Sequence, residues 1–208
     1  TIGARDRVER ELAPDGTYLG RAIITRDSRI DKGVSIGGAP REAIVVEFES
    51  SFFLPGMYEI IKGMAEELPG TGILNRKRIL QATYDVVRGA FRYGSQPEIE
   101  RILADMVIPA DTKVSLDFFL KRGLGVCRHK ALTAGVLIER FVDEGHLRGR
   151  VSIDRNESRE GAHEWVRYNG SSGKVQIIDC SLEFFGNLKD SIDLISHSGW
   201  DYRRPEDF

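Results

Sequence analysis

The chain has 208 residues, 41% hydrophobic and 30% charged, a length and balance that allow one large or two small globular domains. Its 30 Lys and Arg against 32 Asp and Glu leave a formal net charge of -2 with no basic block, which argues against nucleic-acid and membrane partners. No apolar run approaches the roughly 20 residues that span a bilayer, and Thr1–Arg7 has none of the features of a signal peptide.

The chain opens without an initiator Met and so reads as a processed or trimmed piece of something longer. Two cysteines make no disulfide framework, so the expectation is a free thiol in a reducing compartment, with the cytoplasm favoured. Oligomeric state has no sequence signal.

Residues 1–16 are charged, end in the turn signal Pro14-Asp15-Gly16, and read as a loose arm or short helix. Tyr18 to Ile24 reads as a strand, Val34-Ser35-Ile36 as a short strand after the Asp31-Lys32-Gly33 turn, Gly37 to Pro40 as another turn, and Ala43 to Phe48 as a stronger strand. Residues 1–54 therefore form a small β-rich N-terminal section, and residues 55–208 the main domain.

Pro55-Gly56 punctuates the chain, and Met57, Ile60, Ile61, Met64 and Leu68 then recur at helical spacing up to Pro69-Gly70. A second helix runs from its N-cap Asn75 to Arg92, with Ile79, Leu80, Thr83, Val86, Val87 and Phe91 as its apolar stripe. Pro97 to Val107 reads as a shorter helix buried through Ile99, Ile102, Leu103 and Met106, and Val114 to Lys121 as a helical turn or two.

Gly123-Leu124-Gly125-Val126-Cys127 then leads a cysteine into an apolar run, Ala131 to Val142, that covers most of a helix circumference and marks a core helix. A thiol at a helix N-terminus meets unpaired N–H groups and the positive end of the helix dipole, which favour the reactive thiolate. Beyond Gly149 the pattern changes to strands: Arg150 to Asp154, Ala162 to Tyr168 and Lys174 to Asp179. They are joined by the polar stretch Arg155 to Gly161 and by Asn169-Gly170-Ser171-Ser172-Gly173, a hairpin signal. The tail from Asn187 is mixed. A β-rich section, then helices, then a sheet is an α+β pattern.

Cys127, His163 and Asp179 supply a nucleophile, a base and an orienter in chain order. Alternation places Trp165 on the His163 face of its strand. Asp179 ends an apolar strand, where a carboxylate needs a partner, and the Nδ1 of His163 is the expected one. His129 is the competing base, but at about 100° per helical residue it diverges from Cys127 by roughly 200°. Arg128-His129-Lys130 reads either as a solvated or partner-facing first turn or as a cationic aid to a thiolate or an acidic substrate group. Cys180 alternates away from Asp179, so a Cys127–Cys180 disulfide is disfavoured, and no zinc-ligand spacing is present.

Gly-Val-Cys at the start of a buried helix, His163-x-Trp165 on a strand and Asp179 ending the next resemble the transglutaminase-like branch of the papain-like cysteine hydrolases. The resemblance covers Arg76 to Leu188, includes Val87 to Tyr93 as the upstream helix ending near an aromatic, and leaves residues 1–54 uncovered. Arg128-His129-Lys130 resembles a variant found ahead of some plant kinase domains and in bacterial proteins. Cys180-Ser181 departs from the aliphatic or aromatic residue and then Pro or Thr that usually follow the aspartate.

The resemblance implies an α+β fold in which a buried Cys-bearing helix packs on an antiparallel sheet. It implies Cys127 as nucleophile, His163 as general base and Asp179 as orienter. The expected function is acyl transfer from an amide, either a peptide bond or a glutamine carboxamide, in a peptide or protein substrate. No cofactor and no metal are implied. The same fold also serves as a catalytically inactive interaction module, which is the alternative.

Overall fold

A computed structural model of the chain describes residues 15–18, 20–36, 43–107, 113–158, 161–194 and 200–208. Residues 1–14 of the expected N-terminal arm and the expected turn at Gly37 to Pro40 lie outside the described residues. In chain order the strands are β1 (Thr17–Tyr18), β2 (Arg21–Ala22), β3 (Val34–Ile36), β4 (Ala43–Val45), β5 (Arg92–Tyr93), β6 (Lys113–Ser115), β7 (Leu124–Gly125), β8 (Gly149–Ser158), β9 (Gly161–Gly170), β10 (Val175–Asp179) and β11 (Phe184–Asn187). The α-helices are α1 (Leu54–Ala65), α2 (Arg76–Ala90), α3 (Gln96–Asp105), α4 (Leu116–Arg122) and α5 (Cys127–Asp143). The protein is mixed α+β.

The main sheet is antiparallel throughout, in the order β11-β10-β9-β8. Helix α5 lies against β8, β9 and β10 on one side and meets α1 and α2 on the other. Leu132, Val136, Leu137, Ile138 and Phe141 of α5 share one core with Val151, Ile153, Val166, Tyr168 and Ile178 of the sheet and with Ile79 and Val87 of α2. Full burial of each such side chain contributes about 1.5–3 kcal/mol.

The apolar circumference of α5 thus has a structural reason: it is packed from both sides. Alternation sends Trp165 and Ile177 to the opposite face of the sheet, where they join Leu188 and Tyr202 in a second cluster.

The N-terminal section is tied into this core. β3 pairs antiparallel with β4, and β4 pairs parallel with β6. Ile30 and Ile44 belong to the α5 core. The buried carboxylate of Glu139 on α5 accepts from the Ile30 and Asp31 backbone N–H groups at 3.1 and 2.7 Å.

Several expected elements differ in detail. The strand read over Tyr18 to Ile24 is broken at Gly20, whose φ of +75° turns the chain so that β1 pairs with β2. The strand read over Ala43 to Phe48 ends at Val45. Helix α1 stops at Ala65, and Ile60, Met64 and Leu68 are exposed rather than buried. Only the Met57, Tyr58 and Ile61 side of α1 faces a neighbour.

α2 begins where expected, with Asn75 Oδ1 accepting from the Lys77 and Arg78 N–H groups, and runs to Ala90. Met106 lies past the end of α3 and is exposed. Val114 is in a strand, because β4 offers it an edge, and helix α4 starts only after the Ser115 cap. The polar stretch from Arg155 to Ser158 continues β8.

Candidate active site

Cys127 is placed by the turn before it. Gly123, with φ of +58°, ends α4 in the left-handed conformation that glycine adopts at least cost. β7 then pairs with β5, which carries the chain straight on from α2: Arg92 N donates to Gly123 O at 2.7 Å and Gly94 N to Gly125 O at 2.9 Å. Gly125 must lack a side chain, since a Cβ there falls 2.8 Å from the His129 Cβ and 3.0 Å from the Phe91 ring. Val126 is the extended N-cap, and Cys127 is the first residue of α5.

His129 finishes that helix start. It is fully buried, its Nδ1 accepts the Val126 backbone N–H at 3.1 Å, and its ring lies 3.9 Å from that of Phe119. A nitrogen that accepts from an amide carries no proton, so His129 is committed to the cap and to packing. Arg128, His129 and Lys130 are all buried, which corrects the solvated-turn reading.

His163 and Asp179 come from neighbouring strands. The β9–β10 register sets Ile178 opposite Val166. Continuing it puts Asp179 across from Trp165, diagonal to His163 on the same face. His163 Nε2 lies 2.5 Å from Asp179 Oδ2. The nitrogen that meets the carboxylate is therefore Nε2, not the expected Nδ1, which leaves Nδ1 as the ring nitrogen turned away from Asp179. Cys127 is partly exposed, with Sγ 4.0 Å from the Ala162 carbonyl oxygen beside His163.

Burial of His163 disfavours its imidazolium, but the hydrogen bonds and charges of Asp179 and Cys127 outweigh burial and raise it to about 9. The ring is therefore held as a cation at neutral pH, between a carboxylate and a sulfur.

Asp179 is buried and accepts four hydrogen bonds, the full capacity of its two oxygens. Oδ2 takes His163 Nε2 at 2.5 Å and the Tyr202 hydroxyl at 2.9 Å, and Oδ1 takes Ser181 N and Leu182 N, each at 2.9 Å. Tyr202 is a site residue that sequence reasoning missed. It is 1% exposed, and burial and the Asp179 charge push its phenol up, so it stays a donor.

Its ring meets Trp165 edge-on at 4.9 Å and stacks on Phe184 at 5.6 Å, while Trp200 lies over His163 at 5.3 Å. The segment is pinned to the same sheet face by Arg204 on Asp154 (2.6 and 2.8 Å) and by Arg167 on Asp207 (2.6 and 2.7 Å). The spacing Trp200-Asp201-Tyr202 has the period of a strand edge, which is the one signal that could have pointed here.

The Cys180 side chain is buried, with its thiol 3.9 Å from the Tyr84 carbonyl and pushed up by burial. Both cysteines are free. Among the described residues no three His, Cys, Asp or Glu side chains are grouped to hold a metal ion, and no helix is long and apolar enough to cross a membrane. Compared with protein-family models, curated proteins and solved structures, the chain matches none.

Proposed function

We propose that this protein is a thiol-dependent acyl-transfer enzyme of transglutaminase-like, papain-like fold, acting on an amide of a peptide or protein. The observation that carries the proposal is His163 bonded through Nε2 to Asp179 Oδ2 at 2.5 Å, with the Cys127 sulfur 4.0 Å from the carbonyl oxygen of Ala162, the residue before His163. His163, as the imidazolium, holds the Cys127 thiolate in an ion pair. The thiolate attacks the amide carbonyl, and the Cys127 backbone N–H, which has no intrahelical acceptor at the first position of α5, faces the developing oxyanion. The His163 imidazolium then protonates the leaving amine. Water or a second amine attacks the thioester with His163 now as base, which gives hydrolysis or transamidation.

Support for the fold is the packing of the Cys127 helix on an antiparallel sheet whose adjacent strands carry His163 and Asp179. The test is alkylation by iodoacetamide at pH 6, followed by peptide mass spectrometry, together with a search for cleaved or deamidated amides in a peptide library. Cys127 is expected to label well ahead of buried Cys180, and turnover is expected to vanish in Cys127→Ala. Turnover that survives Cys127→Ala, or equal labelling of the two thiols, overturns the proposal.

A further inference from the structure

Lys130 is a buried charge that the triad does not use. It follows Cys127 by three residues on α5, so the two side chains leave the same helix face about 5–6 Å apart. It is 5% exposed. Its Nζ donates to the Cys180 carbonyl at 3.2 Å and lies 5.6 Å from the centre of the Tyr93 ring. An ammonium has three N–H donors. Among the described residues only that carbonyl takes one, and no carboxylate oxygen lies within 4.0 Å of Nζ. The nearby acids are engaged elsewhere: Glu183 pairs with Arg88 at 2.9 Å, and Asp85 accepts from Gln81 at 3.1 Å. Burial pulls the ammonium below the usual lysine range. The charges of Glu183 and Asp179 oppose that shift without outweighing burial, and neither carboxylate makes an ion pair with the ammonium.

The ammonium borders an open groove of about 500 Å³, whose walls include Arg88, Tyr93, Ser181 and Glu183. The Ser181 hydroxyl is also buried and has no hydrogen-bond partner among the described residues. Tyr93 joins this groove to the nucleophile. It pairs with Gly125, two residues before Cys127, and its phenol is raised by burial and then by the charges of Cys127 and Asp179. A cation with spare donors and a hydroxyl with no partner thus line one groove, one helical turn along α5 from Cys127. Both would be satisfied by a single anionic group.

We propose that Lys130, with Ser181 beside it, forms an anion-recognition subsite that seats a carboxylate of the acyl substrate. The inference rests on Cys127 being the nucleophile and names the substrate class: amides flanked by a carboxylate, either an acidic side chain or a free α-carboxylate. The carboxylate accepts from the ammonium and from the serine hydroxyl, and the Tyr93 ring forms one wall of the groove.

The test measures the rates at which Cys127 is modified by methanethiosulfonates bearing a 2-sulfonatoethyl, a methyl or a 2-trimethylammonioethyl group, each normalised to glutathione. The thiolate forms a disulfide with the reagent's sulfenyl sulfur and methanesulfinate leaves, so no amide substrate is needed. The expected anionic-to-cationic rate ratio in the wild type exceeds that of glutathione. It is expected to fall about fivefold or more in Lys130→Met and to be retained in Lys130→Arg, which keeps the charge.

Protection of Cys127 by N-acetylglutamate amide or by N-acetylalanine then separates a side-chain carboxylate from an α-carboxylate. Equal ratios in wild type, Lys130→Met and Lys130→Arg overturn the inference and leave Lys130 as a strut to Cys180. A Cys127 unreactive toward the neutral reagent is a different failure, since it removes the nucleophile itself.

Discussion

Asp179→Asn tests the site at its most constrained atom pair. Two donors converge on each carboxylate oxygen: His163 and Tyr202 on Oδ2, and the Ser181 and Leu182 amides on Oδ1. Asparagine offers one acceptor oxygen and one NH2, so either orientation turns an NH2 toward two buried donors. Each buried donor left unpaired costs about 1–3 kcal/mol, and breaking a buried charged pair costs about 3–5 kcal/mol. The expected loss is about 3–5 kcal/mol, a large share of a typical domain's 5–15 kcal/mol.

The pH dependence carries a second signature. His163 rises from the ordinary 6.5 to about 9, which is worth about 3 kcal/mol at 1.36 kcal/mol per unit. Because the folded value is the higher one, this stability is fully present below about pH 6.5 and is lost as pH rises through about 9. The assay is urea unfolding from pH 6 to 9.5, followed by tryptophan fluorescence. Trp165 and Trp200, the two tryptophans of the chain, both lie against His163. The wild type is expected to weaken over that range, and Asp179→Asn to start lower and slope less. A flat wild-type profile, or a variant within about 0.5 kcal/mol of wild type at pH 7, would mean that the His163–Asp179 pair does not carry this stability.

His129→Ala removes the acceptor for the Val126 N–H and the packing on Phe119. It is expected to cost about 2 kcal/mol or more in denaturant unfolding while leaving Cys127 alkylation of the folded protein within about threefold, whereas His163→Ala is expected to slow alkylation at pH 6 at least about tenfold. The opposite ranking would mean that His129 is the base. Tyr202→Phe deletes one of two donors on Asp179 Oδ2. It is expected to cost about 1 kcal/mol and, by leaving that oxygen to the imidazolium alone, to move the His163 titration upward from about 9 in NMR; a downward shift counts against Tyr202 as a positioning residue. Gly125→Ala forces a Cβ to 2.8 Å from His129, and a lowered melting temperature equivalent to about 1–3 kcal/mol is expected; an unchanged one means the α5 entry is looser than described.

The parts of the site legible in the sequence were those set by local chemistry. Gly123 and Gly125 announce a turn into α5, the apolar circumference of α5 announces a core helix, and alternation along β9 aligns His163 with Trp165. The ring nitrogen that His163 turns to Asp179 was not legible, because a side-chain rotation decides it and two strands must first be in register. The burial of Arg128-His129-Lys130 was hidden for a related reason. Three charged or polar residues in a row read as solvated until a long-range partner, such as the Cys180 carbonyl for Lys130, is brought to them. Tyr202 and Trp200 lie 23 and 37 residues from their partners Asp179 and His163, and a single i, i+2 spacing is too short a signal to stand out before the segment packs on the sheet. At the N-terminal strand the break at Gly20 is hidden in the sequence, because one glycine among β-branched and apolar neighbours is compatible with a continuous strand.

The β9–β10 register gives the turn between these strands a say in chemistry that it never touches. His163 and Asp179 are separated by 16 residues, and both must show the same side of a pleated ribbon. A single residue added or removed within either strand reverses that parity and sends one member of the pair into the α5 core. The same change made in the loop closed by Gly170 N to Lys174 O, at 2.9 Å, can be taken up as a longer or shorter bend with the parity kept. Length variation between the two residues is thus confined to the bend, and an odd-numbered insertion in β9 or β10 separates His163 from Asp179 even when both are still present.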